Sequence, residues 1–314
     1  MSKNIAIIGA GISGMATAYM LLAEGHRVTI YSKAFSPDTT SNRAAAFWFP
    51  YHIRNDKRGI GWCHTSYECY RAFSTQPATG ISMHKLVKVL RKGITEDRPV
   101  WIEFMPPGSY RVQAEDELPK GLAKVYEAKV PLIETQLFLP WIQDHLQQKG
   151  VAFIEQKIAE LEELSGSFDL VINCAALGAR KLCDDDKLIP IRGQVALLSP
   201  MDGLPIYLDN ENILYVVPRK DAIIVGGTYE PGVETEDTEP ATIERLLNNA
   251  YEVIPSLRNQ KVIGSWAGLR PYREDVRVEK EEGKNIIHNY GHGGSGFTLA
   301  FGCAKTVAEI AGLA

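Results

Sequence analysis

Three closely spaced glycines near the start of the chain constrain its fold more than any other feature. The apolar run Ile5-Ala6-Ile7-Ile8 predicts a short buried strand. Gly9, Gly11 and Gly14 follow in the pattern G-x-G-x-x-G, and residues 12–24 then show the apolar spacing of a helix. A second strand is predicted at 28–31. The chain therefore begins with a strand–turn–helix–strand unit whose two strands pair in parallel.

The glycine pattern predicts a site for the phosphates of a dinucleotide. Gly9 permits the tight turn, Gly11 lets a pyrophosphate approach the backbone, and Gly14 lets the helix pack closely on the strand. The free N–H groups at the start of the helix, around Ile12 and Ser13, and the positive end of the helix dipole favour an anion. A coincidental glycine turn is the alternative.

The end of the second strand bears on which dinucleotide binds. An acidic residue usually holds the adenosine ribose there, but the strand ends Tyr31-Ser32-Lys33. Ser32 and Lys33 are therefore candidate cofactor contacts. Lys33 near a 2′-phosphate would indicate NADP, whereas a solvated Lys33 would leave the ribose to backbone groups.

A second glycine cluster separates a predicted strand at 286–290 from a predicted helix at about 297–311. Its four glycines are Gly291, Gly293, Gly294 and Gly296, and they allow a ligand to touch the main chain. N–H groups from Gly296 to Thr298, the helix dipole and the Thr298 hydroxyl would stabilise the negative edge of a reduced flavin. Two helix N-termini suit a long cofactor, which favours FAD over NADP. A glycine-rich helix entry without a ligand is the alternative.

Arg270 and Tyr215 are candidate substrate contacts. Arg270 follows a predicted strand at 264–267, and its planar guanidinium matches a carboxylate in a two-pronged pair. Tyr215 lies in a predicted hairpin, 213–217 with 223–225, from which its hydroxyl would reach the same carboxylate. An ordinary ion pair and an ordinary packed tyrosine are the alternatives.

The order of elements predicts an α/β and α+β fold. Parallel-sheet strands are predicted at both ends of the chain and at 169–174, with antiparallel strands and a helix at 241–254 between them. We assign 1–50, 132–190 and 262–314 to a discontinuous FAD-binding, Rossmann-like domain with a parallel sheet. We assign 51–131 and 191–261 to an inserted, mainly antiparallel substrate or cap domain.

Composition and charge argue against several classes of binding partner. The net charge of −4 and the lack of a Lys/Arg cluster argue against nucleic acid, and no apolar run approaches the ~18 residues of a membrane helix. The five cysteines include no CxxC pair, so we expect reduced thiols and no metal site, with Cys63 and His64 as ordinary helix residues. We expect a cytoplasmic protein, because no basic leader or peptidase site is evident.

Four segments give the chain a resemblance that extends over nearly its whole length. They are Gly9–Gly14, Thr39–Tyr51 (TTSNRAAAFWFPY), Gly268–Pro271 (GLRP) and His288–Thr298 (HNYGHGGSGFT), and Arg192-Gly193-Gln194 and Tyr215-Val216-Val217-Pro218 add support. In these segments the chain resembles the D-amino-acid oxidase family of flavoenzymes, which includes D-aspartate oxidase. The last segment is highly specific in this order.

The resemblance implies a role for each matching position. Arg270 would bind the substrate carboxylate with help from Tyr215, and the Gly294 carbonyl would accept from the substrate amine. Thr39, Thr40 and Ser41 would lie near the FAD pyrophosphate, Ile158 and Ala175 near the adenosine, and Thr298 near flavin O2. Ala45, Ala46 and Phe47 would border the flavin ring. The remaining implied cofactor contacts flank these positions: Arg43, Ala44, Gly293, Gly294, Ser295, Gly296 and Phe297.

The implied reaction is hydride transfer from Cα of an amino acid, with a D-amino acid favoured, to flavin N5. The product is an imino acid that hydrolyses to a keto acid and ammonia, and molecular oxygen reoxidises the flavin to give hydrogen peroxide. No side chain need act as a general base. The implied partners are the amino acid and oxygen, and a homodimer is allowed. A glycine- or sarcosine-type amine oxidase, an NADP-dependent dehydrogenase and a flavin-binding module without turnover remain alternatives.

Three positions depart from the family pattern. Ala46 stands where a glycine is usual, which is tolerable if its φ is negative. Lys33 replaces the acid of the second strand. The vertebrate enzymes carry a longer lid with a second tyrosine, whereas only the five residues 208–212 separate Tyr207 from Ile213 here, and they include Asp209 and Glu211. A loop at 106–120 is the alternative cover for the site.

Overall fold

A computed structural model describes residues 1–93 and 99–313. Residues 94–98, which fall in the predicted cap segment 51–131, and Ala314 lie outside the described residues. The helices are α1 Ile12–Ala23, α2 Lys57–Phe73, α3 Thr135–Gln148, α4 Glu162–Ser165, α5 Gly178–Leu182, α6 Pro240–Val253 and α7 Gly296–Leu313. The strands are β1 Asn4–Ile8, β2 Arg27–Ser32, β3 Ile81–Arg91, β4 Tyr110–Val112, β5 Leu122–Ile133, β6 Ala152–Glu155, β7 Leu170–Asn173, β8 Ile189–Leu198, β9 Ile206–Asp209, β10 Leu214–Pro218, β11 Ile223–Gly226, β12 Glu230–Pro231, β13 Val262–Lys280 and β14 Ile286–His292.

Thirteen of these strands follow one another in a single sheet, in the order β4-β5-β3-β9-β10-β11-β8-β13-β14-β7-β1-β2-β6, and β12 pairs with β8 off this path. The end from β14 to β6 is a parallel region, because β14, β7, β1, β2 and β6 all pair in parallel. The rest is an antiparallel region, except that β3 and β9 pair in parallel. The parallel region is drawn from three separate stretches of chain, as predicted.

The strand β1 shows why this region is buried on both faces. Ile5 and Ile7 belong to the large apolar cluster that also contains α1 and α7, while Ala6 and Ile8 belong to a second cluster on the opposite face. Successive side chains of a strand point to opposite faces, so a strand covered on both faces is apolar throughout. The uninterrupted run Ile5–Ile8 is therefore the signature of a covered parallel strand.

The strand β13 joins the two regions. Its first half, from Val262 to Tyr272, pairs antiparallel with β8, and its second half, from Arg277 to Lys280, pairs antiparallel with β14. The register of the second pairing shifts between Tyr272 and Arg277. The sequence predicted only 264–267 of this strand.

The predicted fold class is confirmed. The strand–turn–helix–strand start, the hairpin of β10 and β11, and the helices α6 and α7 all lie within two residues of their predicted bounds. Of the described helices, only the stretch Gly293–Leu313 is long and apolar enough to cross a membrane by length and composition, and 61% of its 18-residue apolar portion is buried within the protein. The core helix of a globular protein passes the same test. The two-domain division and the absence of a membrane partner stay predictions.

Candidate active site

The phosphate turn has the geometry that its glycines predict. Gly9 has φ +109°, in the region that favours glycine, and an added Cβ there would overlap the carbonyl of Cys174. An added Cβ on Gly14 would overlap the carbonyl of Gly9. At Gly11 the sole atom within 4 Å of an added Cβ is Ser41 Oγ, at 3.0 Å. Two glycines are therefore required by packing, while Gly11 leaves the backbone open to a ligand.

The segment of residues 39–43 lies against this turn. The Ile12 amide donates to Ser41 Oγ over 3.0 Å, at the start of α1. The Thr39 hydroxyl donates to Asn42 Oδ1 over 2.7 Å. Thr39 is the N-cap residue of a short 3₁₀ helix, Thr40–Arg43. The structure thus brings Thr39, Thr40 and Ser41 to the helix N-terminus that is predicted to bind pyrophosphate.

The second glycine cluster lies beside the first. An added Cβ on Gly296, where α7 begins, would lie 3.9 Å from Ile12 Cγ2, and the Ser13 hydroxyl donates to the Asn289 carbonyl over 3.1 Å. Phe297 and Thr298 are buried behind this helix start. The N-termini of α1 and α7 are therefore neighbours, which is the arrangement that an extended cofactor requires.

The hydroxyl of Thr298 departs from its predicted role. It donates to the Phe49 carbonyl over 2.9 Å and accepts from the Phe49 amide over 3.2 Å. A hydroxyl has one proton to donate, so donation to flavin O2 would break the bond to Phe49. The backbone amides at the start of α7 are the available donors.

Ala46 contradicts one expectation from the sequence. Its φ is +54°, so the condition that φ be negative fails. The backbone adopts the left-handed conformation for which the family uses glycine, although alanine is disfavoured there. The reason is that 44–47 runs beside β5: the Ala46 carbonyl accepts from the Ile133 amide over 2.8 Å and Phe47 pairs with Leu132.

The residues predicted to lie near the adenosine gather at the ends of β2 and β7. Ile158, which is buried, and Ala175 belong to one apolar cluster with Tyr31. Ser32 is buried and its hydroxyl donates to the Ala34 carbonyl over 2.6 Å, while Lys33 is exposed. This is the edge of the parallel sheet where dinucleotide adenosines bind.

Arg270 lies on β13 with its guanidinium above Gly193 of β8, where an added Cβ would overlap it. Its Nη1 donates to the Thr228 carbonyl over 3.0 Å. Among the described residues no carboxylate lies within ion-pair distance of this guanidinium, whereas the neighbouring Arg192 is paired with Glu230 and Glu239. Arg270, which also contacts the Tyr215 side chain, is therefore a cation without an acidic partner among the described residues, and it suits an anionic ligand.

Tyr215 on β10 faces the same place. Its ring lies over Gly226, and an added Cβ on Gly227 would lie 2.8 Å from its hydroxyl. Burial raises the pKa of Tyr215, and the positive charge of Arg270 only partly opposes this. The phenol is therefore protonated at neutral pH and serves as a hydrogen-bond donor.

Gly294 completes the pocket. An added Cβ there would lie 3.1 Å from Tyr51 Cδ1 and 3.4 Å from Arg270 Cδ. We call the surroundings of Arg270, Tyr215 and Gly294 the pocket. The glycines there make room for the Arg270 and Tyr215 side chains, which larger residues at Gly193 or Gly226 would displace.

Three aromatic residues at the mouth of the pocket were not assigned a role from the sequence. The rings of His52 and Tyr229 stack at 5.4 Å, and Tyr51 meets His52 edge-on at 4.3 Å. Burial, and then the charge of Arg270, lower the pKa of His52. Burial raises the pKa of Tyr51, against the opposing effect of Arg270. Tyr51 ends one of the resembling segments, but nothing in the sequence pairs His52 with Tyr229.

The residues present fit FAD by this chain's own geometry. Gly11 is open, two adjacent helix N-termini supply amides, and no hydrogen bond among the described residues uses the amides of Ala45, Ala46 or Phe47. No group of three or more His, Cys, Asp or Glu side chains in the described part of the chain is placed to hold a metal ion. Cys63 and His64 lie within α2, as expected of ordinary helix residues.

A parallel sheet with two helix N-termini at one edge, opening on a cationic pocket, defines the class of flavin-dependent oxidoreductases. The profile of the family described as FAD dependent oxidoreductase matches residues 4–310. The chain therefore belongs to this family, which contains the D-amino-acid oxidases, and its cofactor is FAD, not NADP. The predicted resemblance is confirmed.

Individual relatives agree with the family. A D-amino-acid oxidase of Rubrobacter xylanophilus is 35% identical over 314 residues, covering 98% of this chain and 95% of the relative. A human D-aspartate oxidase is 30% identical, covering 98% and 94%. Among solved structures, a glycine oxidase of Bacillus cereus has TM-score 0.81 at 17% identity and covers 98% of this chain and 94% of that one. An L-proline dehydrogenase of P. horikoshii has TM-score 0.83 at 16% identity, covering 99% and 93%. At such identities these structures share the fold alone.

Proposed function

We propose that this protein catalyses the FAD-dependent oxidative deamination of D-amino acids, with molecular oxygen as the electron acceptor. One observation carries the proposal: Arg270, Tyr215 and Gly294 converge in a pocket where Arg270 has no carboxylate partner among the described residues. Such a cation matches the α-carboxylate of an amino acid. The names of the relatives support the D configuration.

The chain's own residues bind and orient the substrate. Arg270 holds the carboxylate in a two-pronged pair and the protonated Tyr215 hydroxyl donates to it, while the Gly294 carbonyl accepts from the amine. These contacts fix the direction of the Cα–H bond, and such positioning lowers the barrier to hydride transfer. FAD, held by the backbone amides at the starts of α1 and α7, would supply the acceptor for the Cα hydride and the route for electrons to oxygen.

The tyrosines beside Arg270 are poor general bases. The side chains whose pKa values the charge of Arg270 affects include Tyr51, Tyr215 and His52, and the lowered pKa of His52 keeps its imidazole neutral. Tyr51 and Tyr215 have raised pKa values, so both are protonated and are weak acceptors of a proton at neutral pH. This fits hydride transfer from a substrate whose amine is already neutral, because that reaction removes no proton from Cα.

Anaerobic reduction of the purified protein tests the proposal. A D-amino acid should bleach the flavin band near neutral pH without oxygen, and readmitted air should restore the band and produce hydrogen peroxide. The L-enantiomer serves as the control, and glycine and sarcosine test the alternative substrate class. Bleaching by glycine or sarcosine but by no D-amino acid would overturn the proposed substrate, and no bleaching by any amine would overturn the proposed activity.

We also propose a cytoplasmic location. The five cysteines are all free thiols in the structure, which suits a reducing compartment. Cell fractionation with antibody detection tests this. Recovery in a membrane or secreted fraction would contradict it.

A further inference from the structure

We propose that Arg219, in the turn between β10 and β11, is a positioning residue that holds the backbone of residues 42–46 so that its amides face the flavin. This inference rests on the proposed function, because it takes 44–47 as the segment that borders the cofactor. It assigns a role in the cofactor site to a residue that lies in the antiparallel region and whose side chain contacts no glycine turn.

The carbonyls of this segment are held from one side by groups distant in sequence. The Asn42 carbonyl accepts from the Thr135 hydroxyl over 3.4 Å, and the Arg43 carbonyl from Trp266 Nε1 over 3.1 Å. The Ala44 carbonyl accepts from Arg219 Nη1 over 3.2 Å. The Ala46 carbonyl accepts from the Ile133 amide over 2.8 Å.

The last two amides of this segment and the next amide along the chain are free, whereas the amides of Asn42 and Ala44 donate within the 3₁₀ turn. No hydrogen bond among the described residues uses the N–H groups of Ala45, Ala46 or Phe47. A backbone amide without a partner in a protein interior is costly, so a row of such amides indicates a ligand with acceptor atoms. The oxygen and nitrogen edge of a flavin supplies them.

Arg219 is built to hold this arrangement. Its side chain is 3% exposed, and its Nε donates to Asp221 over 2.9 Å, which neutralises the buried charge. Its Nη1 also donates to the Thr135 hydroxyl over 2.8 Å, so one guanidinium links Ala44 to the start of α3. The turn itself is anchored, because the Lys220 amide donates to both oxygens of the buried Glu134, over 3.0 and 3.1 Å.

The fork of arginine is needed for this role. The guanidinium donates four hydrogen bonds to three partners: the Asp221 carboxylate, the Thr135 hydroxyl and the Ala44 carbonyl. A lysine ammonium in the same place lacks the planar arrangement of donors that these bonds require. Arg219 contacts neither the glycine turns nor the pocket, so it acts on the cofactor only through the backbone of 42–46.

Arg219→Met and Arg219→Lys test the proposal, with Arg111→Met as matched control. Arg111 is an exposed arginine that pairs with Glu127 on β4 and β5, so it also loses an ion pair without touching this segment. FAD is titrated into each apoprotein to give Kd, the midpoint potential of the bound flavin is measured, and thermal unfolding of each apoprotein reports folding.

Arg219→Met should raise the Kd for FAD by about tenfold or more, the effect of losing one charge-assisted hydrogen bond in a buried site. It should also lower the potential, because loosened amides stabilise the reduced flavin less. Arg219→Lys should recover only part of both changes, and Arg111→Met should leave both unchanged.

Trp266→Phe is the second variant if Arg219→Met fails to fold. It removes the bond to the Arg43 carbonyl and should change Kd and potential in the same directions, by a smaller factor. A folded Arg219→Met protein, or a folded Trp266→Phe protein in its place, with wild-type Kd and potential would overturn the positioning role. Bleaching of the wild-type flavin by D-amino acids is independent of this result, so failure of the proposed function is distinguished from failure of this inference.

Discussion

At the scale of single residues, we expect the Arg270 guanidinium to contribute to the binding of the substrate and not to the binding of FAD. Arg270→Ala removes a charge-assisted two-pronged pair, and we expect the apparent substrate constant to rise by about tenfold or more. FAD should stay bound, because Arg270 holds no cofactor atom in the proposed arrangement. Steady-state kinetics and the flavin spectrum measure the two effects, and an unchanged substrate constant would remove Arg270 from the carboxylate role.

Ala46 makes an unusual prediction about glycine substitutions. Replacing a buried alanine by glycine loses about 0.8 kcal/mol of methyl burial and about 0.5–1 kcal/mol of backbone entropy. At Ala46 the release of about 1–2 kcal/mol of left-handed strain offsets both, so Ala46→Gly should change the free energy of unfolding by less than about 0.5 kcal/mol.

The matched control is Ala222→Gly. Ala222 is also a loop alanine buried in the same apolar cluster, but its φ is not positive. Ala222→Gly should lower the free energy of unfolding by the sum of the lost methyl burial and the backbone entropy, about 1–2 kcal/mol. Denaturant unfolding of both variants measures the difference, and equal losses at the two positions would contradict the strain at Ala46.

His292, inside the second glycine cluster, makes stability depend on pH. Burial lowers its pKa from the ordinary 6.5 to about 4, and its Nε2 lies 3.1 Å from Asn289 Oδ1. The unfolded chain binds a proton below pH 6.5 while the folded protein does not, so this contribution is complete above pH 6.5 and is lost as the pH falls toward 4.

His292→Gln keeps a side-chain donor toward Asn289 but does not titrate. The wild type should therefore lose about 2 kcal/mol more stability than this variant between pH 7 and pH 5. Denaturant unfolding at both pH values, with FAD saturating, gives the comparison. Parallel pH dependences for the two proteins would show that His292 titrates normally.

The residues that sequence reasoning found share a property. Gly9 and Gly14 are needed by local geometry and packing, Gly11 completes their motif, and Arg270 stands in a specific motif. His52 and Tyr229 were missed because they meet only through tertiary packing, from two segments far apart in the chain. Arg219 was missed for the same reason.

At the scale of elements, the hairpin of β9 and β10 contains the short stretch 208–212, which stands where the vertebrate enzymes are expected to carry a longer lid. Leu208 and Asp209 belong to β9, and Asp209 is fully buried with its carboxylate accepting from Arg91 Nε over 3.0 Å. The Asn212 side chain donates to the same carboxylate over 3.1 Å. The stretch 208–212 is therefore a turn that hydrogen-bonds to the buried carboxylate of Asp209, and such a turn is unsuited to opening and closing.

A fixed turn predicts that product release is fast and that chemistry limits turnover. A substrate deuterated at Cα should then lower kcat severalfold, nearly as much as it slows flavin reduction in stopped flow. If kcat were insensitive to deuterium while the reduction step remained sensitive, a later step would be limiting. The loop at 106–120, which includes β4, would then be the next candidate for the cover.

Strand β13 shows why the sequence pattern failed to predict most of one long strand. Its residues alternate poorly between apolar and polar after Pro271, and only four of its nineteen residues were predicted. The two halves of the strand pair with different neighbours, so no single burial pattern extends along it. By contrast, β1 and α1 are each covered by the same neighbours throughout, and periodicity located both.

At the scale of the whole molecule, the cofactor contacts come from stretches of chain that lie far apart. FAD bound across them should stabilise the folded protein by about 2.7 kcal/mol when its free concentration is 100 times Kd. We therefore expect the apoprotein to unfold at a clearly lower temperature than the holoprotein. Equal melting temperatures at saturating FAD would contradict a cofactor site assembled from these segments.

We further expect the FAD to be non-covalent, since no cysteine or histidine stands in a known attachment motif. Acid precipitation should release the yellow colour into the supernatant, and colour retained in the pellet would show a covalent link. The domain boundaries and the homodimer stay predictions at this scale. Limited proteolysis and sedimentation test them.

The continuity of β13 has a mechanical consequence. The strand carries the proposed substrate anchor, Arg270, and ten residues later, at Lys280, it is paired with β14, which leads directly into the second glycine cluster. An extended strand advances about 3.3 Å per residue and resists stretching. Because β14 returns alongside β13 and His292 pairs with Tyr272, the separation between the carboxylate anchor and the flavin end of the site is set by two adjacent, paired strands. Side chains around Arg270 can therefore change without altering the distance between the substrate anchor and the start of α7.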